Sequence, residues 1–231
     1  MSSPIAARRR TVADRALIGV HRKASHHRRL EILAGTLAPL IDGRRPPGAG
    51  RLLDIGCGDL GLVRALAERL DGLDWQGADI HELPDELAGV EPWTHYRSFD
   101  GARLPFEDAA FDVGLFADVL HHVPAHQLEA LVRDALRVCP VLVVKDHFEY
   151  GRWSRQCLRA MDVVGNRGYG VSVPERYFTK GGFGRLMDAV GARCAELRVG
   201  VELYGHLPVV RRVARADWQF VAVLERRDRA Q

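Results

Sequence analysis

An acidic residue beside a glycine-rich turn is the first feature of this sequence with a chemical meaning. Residues 51–61, RLLDIGCGDLG, are apolar and then rich in glycine, which is typical of a buried strand that turns sharply into a helix. Gly56, Gly58 and Gly61 satisfy the spacing G-x-G-x-x-G, and the acid Asp79 follows further along. The glycines alone therefore leave a dinucleotide possible as the ligand of this turn.

Asp54 distinguishes between the possible ligands of the turn. Its carboxylate would repel a pyrophosphate at the start of the following helix, whereas it would attract an ammonium group. An amino-acid nucleoside would supply an ammonium group to Asp54, a carboxylate to the helix N-terminus and a ribose diol to Asp79. S-adenosylmethionine carries all three groups, so we expect it as the cofactor.

The elements around this turn alternate between strands and helices. Apolar strand candidates at 51–55, 75–79, 111–117 and 141–147 are separated by segments with helical periodicity. This alternation implies parallel strands with helices on both faces of the sheet. Candidates at 197–204 and 218–224 have little chain between them and are expected to pair antiparallel. We predict an α/β fold: a doubly wound, mostly parallel seven-stranded sheet with an antiparallel C-terminal edge hairpin and a helical cap insertion.

Three regions are predicted along the chain. Residues 1–50 form a basic arm and an amphipathic helix from about Ala24 to Ile41, and residues 51–231 form the main domain. Within it, residues 151–179 are a candidate substrate cap above the carboxyl ends of the strands. Its helical face is predicted from Trp153, Cys157, Met161 and Val164. The alternative is a structural helix and surface loop without ligand contact.

Composition narrows the class of protein. The chain has 231 residues, 47% hydrophobic and 27% charged, with a net charge of +3, so its overall charge does not indicate a nucleic-acid partner. The basic arm is expected to be solvated, with weak contact to an anionic membrane surface as the alternative. Four scattered cysteines indicate neither a metal site nor disulfides. Without an apolar run for a membrane span or signal peptide, we expect a cytoplasmic protein.

Four motifs in order carry a family resemblance. They are LLDIGCGDLG, DIHE, SFDGARLPFEDAAFDVGLFADVLHHV and VLVVKDH, which together lie between Arg51 and His147. The chain resembles the class I S-adenosylmethionine-dependent methyltransferases, specifically the type 11 small-molecule group, with their Rossmann-like fold. One departure is RVCPVLVV, where many relatives have a KPGG turn before the fifth strand.

The resemblance implies a site for the methionine and ribose parts of the cofactor. Asp54 would meet the ammonium group, and backbone groups of Gly56, Cys57 and Gly58 would line the methionine end. Asp79 would accept hydrogen bonds from both ribose hydroxyls.

The resemblance also implies a site for the adenine. Ile80 and Leu104 would pack on the base, Asp100 would accept from its amine, and the Gly101 backbone would address its edge. Ala117, at the end of the fourth strand, would lie near the sulfonium.

Two histidines and an acid are candidates for the catalytic chemistry. His121 and His122 follow the fourth strand, and Asp146 lies near the end of the fifth, so all three face the carboxyl edge of the sheet. A general base is needed when the acceptor is an alcohol, and some relatives that methylate hydroxyls have this set at matching positions. We therefore predict that His121 or His122, assisted by Asp146, acts as the base. The alternative is that a histidine only bonds the backbone.

The aromatic and apolar cap predicts a small-molecule acceptor with an apolar body, with O-methylation favoured over methylation of nitrogen or carbon. Three alternatives stay open: a nucleic-acid methyltransferase, a non-catalytic regulatory protein that binds the cofactor, and an NAD-dependent oxidoreductase. Against the first, no NPPY or DPPY element follows the fourth strand.

Overall fold

A single seven-stranded sheet forms the centre of the protein. The computed structural model describes residues 12–165, 173–205 and 215–227. The strands are β1 (Gly50–Ile55), β2 (Leu73–Asp79), β3 (Tyr96–Ser98), β4 (Val113–Ala117), β5 (Val141–His147), β6 (Ala192–Val199) and β7 (Gln219–Arg226). Their order across the sheet is β3-β2-β1-β4-β5-β7-β6.

Strand pairing confirms the predicted fold class. The first five strands pair parallel with their neighbours, whereas β7 pairs antiparallel with both β5 and β6. The prediction placed the penultimate strand at 197–204, which is wrong: β6 begins at Ala192 and ends at Val199, before Gly200 with its φ of 102°. The third strand has only three residues, too few for a period to be visible in the sequence.

The described residues form five α-helices. They are α1 (Val12–Asp42), α2 (Gly61–Ala67), α3 (Ala125–Val138), α4 (Arg152–Gly165) and α5 (Lys180–Val190). The helices pack on both faces of the sheet or, in the case of α4, form the predicted cap. Leu33, Leu37 and Ile41 of α1 are buried in one hydrophobic cluster with α2, while α3 and α5 share the cluster on the opposite face. The predicted first helix therefore exists and extends back to Val12.

This topology creates a crevice at one edge of the sheet. β1 lies between β2 and β4, so the connections that leave β1 and β4 depart in opposite directions along the sheet. Ligands of open α/β sheets bind at such a point, outside the carboxyl ends of the strands. Asp54, Asp79, Ala117 and Asp146 all lie in the last residues of their strands and therefore face this crevice.

The cap helix α4 packs through part of its predicted face. Cys157 and Met161 pack against a cluster of Leu158, Tyr177 and Trp218, as predicted. The prediction of Trp153 as part of the packed face is wrong: it is 74% exposed, whereas Ser154 and Leu158 are buried. Tyr150 N–H donates to the Ser154 hydroxyl at 2.7 Å. The Val164 side chain lies outside the described residues.

No helix in the described part of the chain is long and apolar enough to cross a membrane.

Candidate active site

The turn after β1 holds its backbone in conformations that favour glycine. Gly56 and Gly58 have φ of 78° and 52°, and Leu60, with φ 60°, adopts the left-handed region as a non-glycine residue. A Cβ on Gly56 would lie 2.5 Å from Cγ2 of Val119, whereas one on Gly58 would meet nothing within 4 Å. The turn therefore packs tightly against the end of β4 on one side and opens onto free space on the other.

Asp54 is a buried acid whose charge is not compensated. The residue is 2% exposed at the end of β1. Burial, and then the negative charges of Asp79 and Asp59, raise its pKa to about 7, and no cation among the described residues opposes them. A ligand ammonium group at this place would supply the missing positive charge. Asp54 therefore fits the predicted role toward the methionine end of the cofactor.

Asp79 is fixed in position by backbone donors. One carboxylate oxygen accepts from Gly58 N–H at 2.9 Å, and the other accepts from His81 N–H at 3.3 Å. Each carboxylate oxygen has a further lone pair, so both can still accept from a diol. Cys57 fills the space between the turn and β2: it is 7% exposed, and a Cβ on Gly77 would lie 2.8 Å from its Sγ. Burial raises the pKa of the Cys57 thiol, which suits this packing role.

Two residues predicted for the adenine lie side by side at the surface. The Ile80 side chain is 60% exposed, and a Cβ on Gly101 would come within 3.4 Å of its Cγ2. Asp100 is exposed, and one of its oxygens accepts from Ala102 N–H and Arg103 N–H, which lowers its pKa. Its contact with the adenine amine stays a prediction beside this role in the turn.

Leu104 has a different environment from its predicted neighbours. It is 1% exposed and belongs to the hydrophobic cluster that contains α3. Its backbone N–H donates to Asp134 at 2.7 Å, which ties this loop to α3. The structure thus gives Leu104 a place in the core, and its packing on the base stays a prediction.

The structure brings His121 and Asp146 together. His121 lies in a 3-10 turn, Leu120–His122, just after β4, and its Nδ1 is 2.7 Å from Asp146 Oδ1. Both side chains are fully buried. Burial opposes ionisation of Asp146, but His121 outweighs it and the pKa of Asp146 lies below its usual range. An ionised carboxylate can only accept, so Nδ1 carries a proton and donates it to Asp146.

The other two histidines surround this pair. The His122 ring is 4.1 Å from the His121 ring between centroids, and His122 is half-buried. His147, which precedes Phe148, lies 5.2 Å from the His121 ring in an edge-on arrangement. Burial and the charge of Lys145 lower the pKa of His147, which favours its neutral form. The His121 side chain is fully buried and has the ionised Asp146 carboxylate at 2.7 Å from its Nδ1.

Histidine and aspartate atoms at this edge also lie close enough for a metal ion. Within the described ranges, two groups bring their ligand atoms within 4.8 Å of one another: His121, His122 and Asp162, and His121, Asp146 and His147. In the second group, Nδ1 of His121 is already hydrogen-bonded to Asp146. The prediction that the protein holds no metal stays a prediction.

A buried ionic cluster lies beside the hydrogen-bonded pair of His121 and Asp146, the dyad, and was not predicted from the sequence. Asp118 follows β4 with φ 60° and contacts Lys145 of β5 and Arg29 of α1. Nδ1 of His147 lies 3.3 Å from the same carboxylate. Burial opposes ionisation of Asp118, but Lys145, His147 and Arg29 outweigh it and keep its pKa well below the usual range. The cluster therefore fixes α1 to the carboxyl edge of the sheet.

Removing Asp118 is expected to destabilise the protein strongly. Asp118→Ala would leave the fully buried Lys145 amine without its partner, and breaking a buried pair in this way decreases the free energy of unfolding by about 3–5 kcal/mol. Chemical denaturation of the wild type and variant measures the difference. Asp108→Ala is the control, because Asp108 pairs with Arg137 on the surface. Equal stabilities of the two variants would contradict the structural role of the cluster.

Comparisons with known proteins find similarity to methyltransferases. Residues 53–140 match the profile of a family described as methyltransferase domain. A curated relative, the 27-O-demethylrifamycin SV methyltransferase of Amycolatopsis mediterranei (strain S699), is 31% identical over 116 residues. That match covers 47% of this chain and 42% of the relative, so it spans less than half of each protein.

Solved structures share the whole architecture at lower identity. A SAM-dependent methyltransferase from Archaeoglobus fulgidus matches with a TM-score of 0.59 and 14% identity, over 85% of this chain and 94% of the other. The mitomycin 7-O-methyltransferase matches with a TM-score of 0.58 and 18% identity, over 93% of this chain and 58% of the other. These structures support the fold.

The fold and the family match agree on the class of protein that this chain resembles. Residues 53–140 are similar to the methyltransferase domain family, and the fold is one that S-adenosylmethionine-dependent methyltransferases adopt. The resemblance that the four sequence motifs indicated is thereby confirmed.

Proposed function

We propose that the protein transfers a methyl group from S-adenosylmethionine to a hydroxyl of a small molecule with an apolar body. The hydrogen bond of 2.7 Å between His121 and Asp146 carries the proposal. A histidine oriented by a buried carboxylate is a general base, and an alcohol is the acceptor that needs one. The names of the mitomycin and rifamycin enzymes, one similar in fold and one in sequence, support oxygen as the acceptor atom.

The donor site is proposed to consist of the acids and glycines around β1 and β2. Asp54 would pair with the ammonium group, the open side of Gly58 would receive the methionine, and Asp79 would accept from the ribose. When bound there, S-adenosylmethionine supplies a methyl group on a positively charged sulfur. The chain itself must then align the acceptor and exclude water.

His121 is proposed to take the proton that the acceptor hydroxyl loses. Asp146 holds Nδ1 of His121, so Nε2 is the atom left to take the proton of the acceptor hydroxyl. The ionised Asp146 also stabilises the positive charge that His121 acquires. Because both side chains are fully buried, this charge pair acts in a weakly screened environment.

Residues 151–179 are proposed to cover the acceptor. The short distance between the Tyr177 and His121 rings, whose centroids are 5.3 Å apart, supports this proposal. Leu158, Tyr177 and Trp218 form a small apolar cluster under α4. Tyr169, predicted to belong to the same cap, lies outside the described residues.

Competition between matched acceptors tests the proposal. The protein is incubated with methyl-labelled S-adenosylmethionine and a panel of apolar polycyclic alcohols and phenols, each beside its amine isostere. Mass spectrometry is expected to find methyl ethers, because the buried base is placed to take the proton that an alcohol loses on methylation. Methylated amines with untouched alcohols would contradict O-methylation. Cofactor binding without transfer to any acceptor would favour a regulatory protein, and transfer to added RNA or DNA would favour the nucleic-acid enzyme.

The pH dependence of cofactor binding tests the role of Asp54. Its pKa of about 7 in the ligand-free protein means that it is protonated below neutral pH and cannot pair with an ammonium group there. We therefore expect the Kd for S-adenosylmethionine to rise as the pH falls below 7, by up to about tenfold per pH unit because one proton is linked to binding. Calorimetry at several pH values measures this slope.

The isosteric Asp54→Asn variant is the control for this pH dependence. It should bind more weakly at pH 8 and lose the slope below pH 7, since its amide does not titrate. A slope that persists in Asp54→Asn would assign the linked proton to another group.

A further inference from the structure

A second carboxylate faces the dyad from the cap helix. Oδ2 of Asp162, on α4, lies 3.5 Å from Nε2 of His121, while Asp146 holds Nδ1 on the other edge of the ring. The His121 side chain has no exposed surface, and that of Asp162 is 13% exposed. The imidazole is therefore enclosed between two acids that come from separate elements, β5 and α4.

Tyr177 directs Asp162 toward the histidine. Its hydroxyl donates to Oδ2 of Asp162, the same oxygen that faces His121. The Tyr177 ring is tilted by 36° over the His121 ring, and the residue is buried. Burial opposes ionisation of Asp162, but His121 and Tyr177 outweigh it and lower its pKa. Asp162 thus presents a negative charge to Nε2.

The interaction between Asp162 and His121 is one of charge. Nε2 of His121 is buried, and among the described residues it makes no hydrogen bond of normal geometry. If Nε2 carried no proton, its lone pair would face a carboxylate oxygen. Two hydrogen-bond acceptors would then be buried against each other, which is unfavourable. A protonated Nε2 would instead place an imidazolium between two carboxylates.

We propose that Asp162 is a positioning residue that acts through His121 and keeps its imidazole protonated until the acceptor arrives. The inference rests on the proposed function, in which His121 is the base. To receive the proton of the acceptor hydroxyl, Nε2 must first release its own proton to solvent as α4 moves Asp162 away, after which Nε2 faces the hydroxyl oxygen. Because Asp162 belongs to α4, the position of the cap then controls when the base becomes active.

The other charged groups around His121 agree with this assignment. Besides the two acids, Asp118, which follows β4, adds a third negative charge. The rings of His147 and His122 lie next to the His121 ring. Lys145, which acts on His147, is paired with Asp118. Burial lowers the pKa of His121, but Asp146 and then Asp162 outweigh it and raise the pKa to about 10.

Nuclear magnetic resonance of the ligand-free protein, labelled with nitrogen-15 in its histidines, tests the role of Asp162. In the wild type, His121 should stay protonated well above neutral pH. Asp162→Asn removes the charge at nearly constant shape, and the titration midpoint of His121 should fall by at least about one pH unit, a loss of about 1.4 kcal/mol of differential interaction. Asp162→Glu should recover part of the shift. If Asp162→Asn does not fold, Asp162→Ala is titrated with the same expectation.

Asp108→Asn is the matched control for the loss of one negative charge. Asp108 is an exposed acid that pairs with Arg137 of α3. The His121 midpoint should stay at its wild-type value in this variant. A midpoint unchanged in Asp162→Asn, or shifted equally in Asp108→Asn, would overturn the proposal.

The titration is independent of turnover and therefore separates the two proposals. If no acceptor is methylated but the midpoint moves in Asp162→Asn, the proposed function fails and the effect of Asp162 on His121 stands. If methyl ethers form but the midpoint does not move, the role of Asp162 fails alone. With an acceptor found in the panel, the rising limb of kcat/KM against pH should also move to lower pH in Asp162→Asn.

Discussion

His121→Ala is expected to lower kcat at least about 100-fold, because a positioned general base typically contributes a factor of 10² to 10⁴ to the rate. The affinity for S-adenosylmethionine should be unchanged, since His121 bonds to Asp146 and is proposed to act on the acceptor and not on the cofactor. Steady-state kinetics with an acceptor from the panel, and calorimetry with the cofactor, measure the two quantities separately.

His122→Ala is the matched control for this variant. The two histidines are adjacent in the same 3-10 turn, but only His121 has Asp146 at 2.7 Å from its Nδ1. We expect the loss in His122→Ala to stay below the range of a missing base, at less than about tenfold. A large loss in His122→Ala beside a small one in His121→Ala would reverse the assignment that the structure supports.

Asp79→Ala is expected to weaken binding of S-adenosylmethionine by about 100-fold or more. A hydrogen bond to a charged group contributes about 1.5–3 kcal/mol, every 1.4 kcal/mol is a factor of ten in Kd, and Asp79 is predicted to accept from two ribose hydroxyls. The variant also loses the bonds from Gly58 and His81 that shape the turn. Calorimetric titration with the cofactor measures the change.

Glu82→Ala controls for loss of negative charge near the donor site. Glu82 is an exposed acid in the loop after β2, and it accepts a hydrogen bond from Ser98. Its replacement should leave the affinity for S-adenosylmethionine unchanged. Equal losses in Asp79→Ala and Glu82→Ala would indicate a general effect of charge, and wild-type preference for NAD would place the chain among the oxidoreductases instead.

The donor side of the site is the part that short stretches of sequence predict best. Asp54 and the glycines belong to one turn, whose conformation depends on local backbone preferences. Asp146 and His121 were predicted to share an edge because adjacent parallel strands end at the same side of a sheet, and the structure places them in contact. In both cases the chemistry depends on where a strand ends.

Other parts of the site depend on packing that no local pattern contains. Lys145 lies inside an apolar strand and is recognisable as a buried cation only when Asp118 and α1 are placed around it. Asp162 is a polar residue outside the set whose hydrophobic spacing predicted the helical face, so no local pattern indicated that it faces His121. The position of such residues follows from how α1 and α4 dock on the sheet.

The chemical bond formed by the transferred methyl group tests the central claim most directly. One turnover of the protein with S-adenosylmethionine labelled with carbon-13 in its methyl group, and with an acceptor that offers both a hydroxyl and an amine, gives a product whose carbon resonance identifies the atom methylated. The account predicts the resonance of a methyl ether, strongly reduced in His121→Ala. A methyl group on nitrogen or carbon, formed equally well without His121, would contradict it.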